Sequence, residues 1–185
     1  MVLLGVCAAI TLAVVFTFAV VGKATANGFA EFQHGVRALW PGRSPRFSLS
    51  RAAERAIAVT VLAAEAATAV ALLLTLIAPG AARPAFAAAA ALLTVFVAAQ
   101  AATLARGEKN APCACFGRSA TPVGPVTLAR DAALLAVALL GLLAPPPDGS
   151  AMEIVAALAG FVLGLLVVAV EDIVALFSPG FARRD

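Results

Sequence analysis

The chain has 185 residues, of which 63% are hydrophobic, 12% charged and 6% aromatic, with a mean hydropathy of +1.02. Ordinary soluble domains are about 45–50% apolar and about 25% charged, so a soluble globular protein is excluded. Disorder is excluded with it, because that state needs low hydrophobicity and high charge, and the net charge here is only +3.

Five stretches are apolar over the roughly 20 residues that a bilayer-spanning helix needs. The first covers about residues 2–22 and carries no charge. Ala24-Thr25-Ala26 has the small-x-small form of a leader cleavage site, but no basic segment precedes the apolar run, the run is longer than a leader core, and Lys23 interrupts it; the first helix is expected to be retained. In the polar segment that follows, Phe29, Phe32, Val36, Leu39 and Trp40 recur on one side over about residues 28–40, while Glu31, Gln33 and Arg37 fall elsewhere. That pattern predicts a helix lying in the membrane interface, ended by Pro41-Gly42. His34, the single histidine, reads as an interfacial polar residue, since metal ligands come in clusters, and no metal site is expected.

The second span covers about residues 56–78, broken only by Glu65, and Pro79-Gly80 closes it. The third, about 84–105, has Gln100 as its strongest polar group. A polar loop over 106–125 holds Cys113 and Cys115. The fourth span, about 126–144, carries Arg130 and Asp131 in its first turns and stops at Pro145-Pro146-Pro147, and the fifth, about 151–170, has Glu153 near its start. Gly160 and Gly164 in the fifth span have the spacing that permits close helix approach, for packing within the chain or for dimerisation. The expected fold is all-α: a single polytopic membrane domain over 1–185, with a four-helix-bundle core plus a fifth transmembrane helix.

Loops rich in Lys and Arg stay cytoplasmic. With five spans, the two long connections and the C-terminus share one side, and these segments with their flanks hold twelve of the 13 basic residues; Arg83 alone lies opposite. The bias predicts an inner-membrane protein with its N-terminus outside and its C-terminus in the cytoplasm.

Cys113-Ala114-Cys115 places two thiols one residue apart in a loop at a membrane surface. Such thiols can cycle between dithiol and disulfide or share a soft metal. The tight ring of a C-x-C bridge departs from relaxed disulfide geometry and should be easily reduced, and Lys109 and Arg118 nearby favour the reactive thiolate. Two ordinary small residues in a turn are the bland alternative. Cys7, alone in an apolar helix, reads as packing. Glu65 near mid-span costs several kcal/mol if charged and unpaired, about 2.5–3.5 upward. It should therefore face the interior, either as a proton relay or in a helix-to-helix hydrogen bond with Thr68 or Gln100. Arg130 and Asp131, as sequence neighbours, should point in different directions, with Asp131 favoured near the helix N-terminus and Arg130 reaching the cysteine loop or snorkelling to the surface.

The run Ala111-Pro112-Cys113-Ala114-Cys115-Phe116-Gly117, with Pro122 and then Leu128-Ala129-Arg130-Asp131 at the head of the next helix, resembles the P-C-x-C-F-G … L-x-R-N/D pattern of MauE-type methylamine utilisation membrane proteins, relatives of the DoxX family. Phe18 to Phe29 around Lys23, Leu39-Trp40-Pro41 and Glu65 are similar to the family's first half; the likeness covers roughly residues 10–145. Asp131 stands where the family often has Asn, and the tail after Asp148 matches no motif. The resemblance implies a membrane accessory factor that works with a thioredoxin-like partner in maturing the disulfide-rich small subunit of methylamine dehydrogenase, or in an analogous thiol-redox pathway. That substrate matures outside the cytoplasm, whereas the charge bias places the cysteines inside. Either electrons cross the membrane or the topology is inverted. Cys7 is expected near the opposite surface, about 20 Å or more from the pair at 1.5 Å per residue and too far for direct exchange, so a relay would need a quinone or a partner's cysteines.

The leading reading is a thiol-disulfide carrier in which Cys113 and Cys115 are the redox pair and Glu65 and Arg130 support it, without a self-contained catalytic site. A non-catalytic assembly scaffold and a small-solute or metal transporter are the alternatives. No pattern points to nucleic acid.

Overall fold

The computed structural model describes residues 1–39, 50–107, 124–147 and 149–177. Six helices follow one another: α1 (Val2–Ala24), α2 (Ala26–Leu39), α3 (Arg51–Leu74), α4 (Ala82–Ala105), α5 (Pro125–Leu143) and α6 (Met152–Phe177), with a 3-10 turn at Pro79–Ala81 before α4. The segments Val2–Ala24, Arg51–Leu74, Pro79–Ala105, Pro125–Leu143 and Met152–Val170 are each long and apolar enough to cross a membrane. The protein is an all-α, multi-pass membrane protein.

Local chemistry sets the helix ends. Thr25 leaves the helical region at φ −73°, ψ 149°, and its Oγ1 accepts the Gly28 N–H at 3.1 Å, so one residue both stops α1 and caps α2. Ser50 Oγ accepts the Ala53 N–H at 3.2 Å, and Glu54 sits in the first turn of α3, where a carboxylate suits the positive end of the helix. This polar cap starts the helix at Arg51, ahead of the apolar run that opens at Ala56. Pro125 occupies the first turn of α5, where its missing N–H is no loss. Ala144, before three prolines, is extended at ψ 142°, as the ring of a following proline requires.

Around the core, neighbours run α1, α3, α4, α5 and back to α1, so each helix is antiparallel to the next and α1 lies diagonally from α4. The interior is filled by Leu12, Phe16, Leu72, Phe86, Leu93 and Leu134 together with alanines such as Ala89 and Ala138. In lipid, helices gain little from hiding apolar surface, and close packing of small residues replaces it. Gly141 illustrates this: a Cβ there would collide with the Phe86 ring. The fifth spanning helix, α6, lies outside the ring, packed along α1 and parallel to it, and barely touches α5. Its contact runs through Gly160, where a Cβ would strike the Cys7 carbonyl, and Gly164, where it would come within 2.7 Å of Val14. The two glycines therefore serve packing within the chain. Thr11 Oγ1 sits in the same seam, 2.8 Å from the Cys7 carbonyl and 3.0 Å from that of Gly160, sharing its one proton between the two helices.

Helix α2 continues along α3. Phe29, Phe32 and Val36 turn onto Ala58 and Val61 of α3, and Arg37 Nε lies 3.4 Å from Glu54 Oε1. His34 is exposed. Helix α3 thus meets α1 with its later turns and α2 with its earlier ones.

Candidate functional site

The end of the bundle where α1 stops, α4 stops and α5 starts concentrates the buried polar side chains. Lys23, in the last turn of α1, is fully buried, and so is Glu65 of α3. Lys23 Nζ donates to Glu65 Oε1 at 2.5 Å, with the Phe32 ring 4.6 Å away and the Phe96 ring 5.5 Å away. Two aromatic faces and one carboxylate replace the water that an ammonium would otherwise need. Glu65 Oε2 is buried and has no hydrogen-bond partner among the described residues.

One turn along α4 from Phe96, Gln100 Nε2 donates to Asp131 Oδ2 at 2.5 Å. Arg130 Nε donates to Asp131 Oδ1 at 2.9 Å, and its Nη2 is 2.8 Å from the same oxygen. Both side chains of that ion pair are 4% exposed. Another turn along α4, Thr103 Oγ1 donates to the Ala99 carbonyl at 2.8 Å and accepts from Arg106 Nη2 at 3.2 Å. Buried charge is tolerated in a low-dielectric setting only where it is paired. Here two neutral pairs, Lys23 with Glu65 and Arg130 with Asp131, lie at neighbouring levels of α4.

Two sequence expectations change. The partner of Glu65 is Lys23, whereas Gln100 is engaged by Asp131 and Thr68 Oγ1 makes no hydrogen bond to Glu65. The reason is reach: a lysine four methylenes long can bend from the end of α1 to a carboxylate on the adjacent helix. Arg130 and Asp131 also meet, although adjacent helical residues do not share a face; the long guanidinium folds back to the short carboxylate that Gln100 holds. Lys23 is the residue that sequence reasoning missed, having been counted as a loop charge. The signal was available: a carboxylate inside a span demands a cation, and Lys23 is the charge that ends the first apolar run. Since Lys23 and Arg130 are buried and neutralised, ten of the twelve basic residues on that side remain to bias orientation.

Cys113 and Cys115 lie outside the described residues. The connection that carries them leaves α4 at Arg106 and Gly107 and rejoins the bundle at Gly124 and Pro125. Gln100 is five residues before the end of α4 and Arg130 five residues after the start of α5, about 7.5 Å along each helix axis. Cys7 is half-buried at the opposite end of α1, beneath α6.

A family model described as methylamine utilisation protein MauE matches residues 1–144. No curated protein and no solved structure matches the chain.

Proposed function

The chain belongs to the MauE family of methylamine utilisation membrane proteins, and from that premise we propose that it is a thiol-redox maturation factor whose Cys113 and Cys115 exchange electrons with a thioredoxin-like partner. The client that the family points to is the disulfide-rich small subunit of methylamine dehydrogenase. One observation carries this reading: the segment with both thiols is tethered at each end within two helical turns of the buried Gln100, Asp131 and Arg130 cluster, on the same end of the bundle as Lys23 and Glu65. Paired, buried charge on rigid helices is the kind of support that a functional site needs beside it.

In the exchange, a partner thiolate attacks one sulfur of the Cys113–Cys115 disulfide, forming a mixed disulfide and releasing the other cysteine as thiolate. The partner's second thiolate then attacks the mixed bond, leaving the partner oxidised and the pair as dithiol. Lys109 and Arg118, which flank the pair in the sequence, favour the thiolate forms, Arg130 supports the site from the start of α5, and Glu65, with an oxygen uncommitted among the described residues, is the group placed to hold a proton. The ten basic residues outside the two buried ion pairs support an orientation with the N-terminus outside and the C-terminus in the cytoplasm of an inner membrane.

Two experiments test this. Replacing Cys113 or Cys115 with serine should abolish maturation of the client while membrane insertion persists, since serine fits the chain but cannot carry electrons. A double-serine variant that complements as well as wild type would reject the redox role in favour of a scaffold. A reporter active only in the cytoplasm, fused after Asp185, should be active; activity of a periplasm-only reporter there would overturn the orientation.

A further inference from the structure

Helices α5 and α6 are each seated on a different neighbour. On α4, a Cβ at Gly141 of α5 would strike the Phe86 ring, and on α1, a Cβ at Gly160 of α6 would strike the Cys7 carbonyl. Thr11 Oγ1, 3.0 Å from the Gly160 carbonyl, adds a directional bond to the second contact. With both helices held elsewhere, α5 and α6 barely touch, and neither closes on the other without giving up its own seat. A groove of about 830 Å³ is left between them over the face of α1. Its lining extends along α5 from Val126 to Leu143, about 25 Å of helix. The family match ends at residue 144, before α6 begins, so one wall of the groove belongs to the part of the chain that the match does not cover.

The surrounding bilayer selects the occupant. The wall is aliphatic almost throughout; Arg130 reaches it already paired with Asp131 at 2.8 Å, and Thr11 Oγ1 is committed to the carbonyls of its own seam. Water in such a groove would forfeit its hydrogen bonds. An unfilled groove would forfeit dispersion contacts along both helices. Hydrocarbon meets both conditions. Leu140, Leu143, Leu163 and Leu166 line the groove and are exposed, so it opens sideways into the lipid that surrounds the spans. Lipid is there as solvent, and a quinone, a second copy of this chain or another membrane helix would each have to displace it.

We propose that phospholipid acyl chains occupy this groove and complete the contact between α5 and α6, one chain entering from each leaflet. Each leaflet supplies half of a hydrocarbon core about 30 Å thick, or about 15 Å, so a groove of about 25 Å outruns a single leaflet. A flexible chain follows an uneven wall that a rigid helix would bridge, and it supplies between α5 and α6 the close packing that glycines supply between α1 and α6. The site uses neither Cys113 nor Cys115 and stands or falls independently of thiol exchange.

The full-length protein in nanodiscs of phosphatidylcholine that carries a diazirine near the end of one acyl chain tests the site. Val137 and Val167 line the groove and are half-buried, whereas Leu139 and Val162 are exposed outside it. Illumination should label Val137 and Val167 at least as heavily as Leu139 and Val162, because a chain held in the groove stays beside them. Ala133→Phe, at an exposed position of the lining, should fill the groove and remove the label from Val137 and Val167 while Leu139 and Val162 keep theirs. Labelling that follows exposure, heavy on Leu139 and Val162 and absent from Val137 and Val167, would overturn the proposal in the wild-type protein alone. Excess ubiquinone that strips the label from Val137 and Val167 only would overturn it in favour of a quinone, and a dimer that shields these two residues would overturn it in favour of a second copy.

Discussion

At the end where α1 stops and α5 starts, helices meet through paired charges; along the seam between α1 and α6 they meet through glycines. Both solve the problem that lipid offers no hydrophobic drive to bring helices together. The charged end gains directional bonds, Lys23 to Glu65 and Gln100 to Asp131, at the risk of a large penalty if one partner is lost. The glycine seam gains close backbone approach, Gly160 against the Cys7 carbonyl, and risks only steric overlap. A directional contact therefore fixes helix rotation and register, while the seam leaves α6 a peripheral helix that can stand off α5 and open a groove.

The largest effect should come from breaking one ion pair. Glu65→Ala leaves the fully buried Lys23 ammonium unmatched and should cost about 3–5 kcal/mol, read as a fall in thermal midpoint in detergent. Lys23→Met combined with Glu65→Leu should return stability close to wild type, because an apolar pair of similar volume removes the desolvation cost along with the attraction. If the double variant is as unstable as the single one, the pair is not what holds this end.

Next comes the seam. Gly160→Ala should cost about 1–3 kcal/mol, since the new methyl meets backbone that cannot swing aside, and should weaken cysteine cross-linking engineered between α1 and α6. Gly80→Ala, where nothing lies within 4 Å, is the matched control and should leave that cross-linking unchanged.

Glu65→Gln sharpens the charged side further. The amide oxygen can still accept from Lys23, so folding should survive with a smaller loss than Glu65→Ala. Client maturation that falls while expression holds would assign Glu65 a proton, whereas unchanged maturation would make packing a sufficient account. The smallest effect belongs to Arg37→Ala. Its side chain is 63% exposed and 3.4 Å from Glu54, and exposed pairs are worth about 0–1 kcal/mol. A loss comparable to that of Glu65→Ala would mean that α2 is anchored to α3 by charge instead of by Phe29, Phe32 and Val36.

Much of this architecture is legible in the residues. Apolar runs with few charges, separated by prolines and polar loops, mark five crossings, because a bilayer core accepts backbone only when its hydrogen bonds are satisfied within a helix. The helix starts at Thr25, Ser50 and Pro125 were set by local capping, which hydropathy passes over, so the apolar run of the second span opens at Ala56, five residues after α3 begins. The Cys113-Ala114-Cys115 motif and its flanks point to the family without any fold. Glu65 and Arg130 are conspicuous because charge inside a span is costly.

Which groups meet was decided by tertiary structure. Lys23 and Glu65 are 42 residues apart and Gln100 and Asp131 are 31 apart. These helices are apolar nearly all round, so periodicity cannot say which side faces which neighbour. The same holds for Gly160: its spacing from Gly164 announces a contact surface, and only the assembled bundle turns that surface onto Cys7 and Val14 of α1. Hydropathy determined that five helices cross because each helix satisfies the bilayer on its own. Their partners were left to the packed bundle, because rotation and register depend on every neighbour at once.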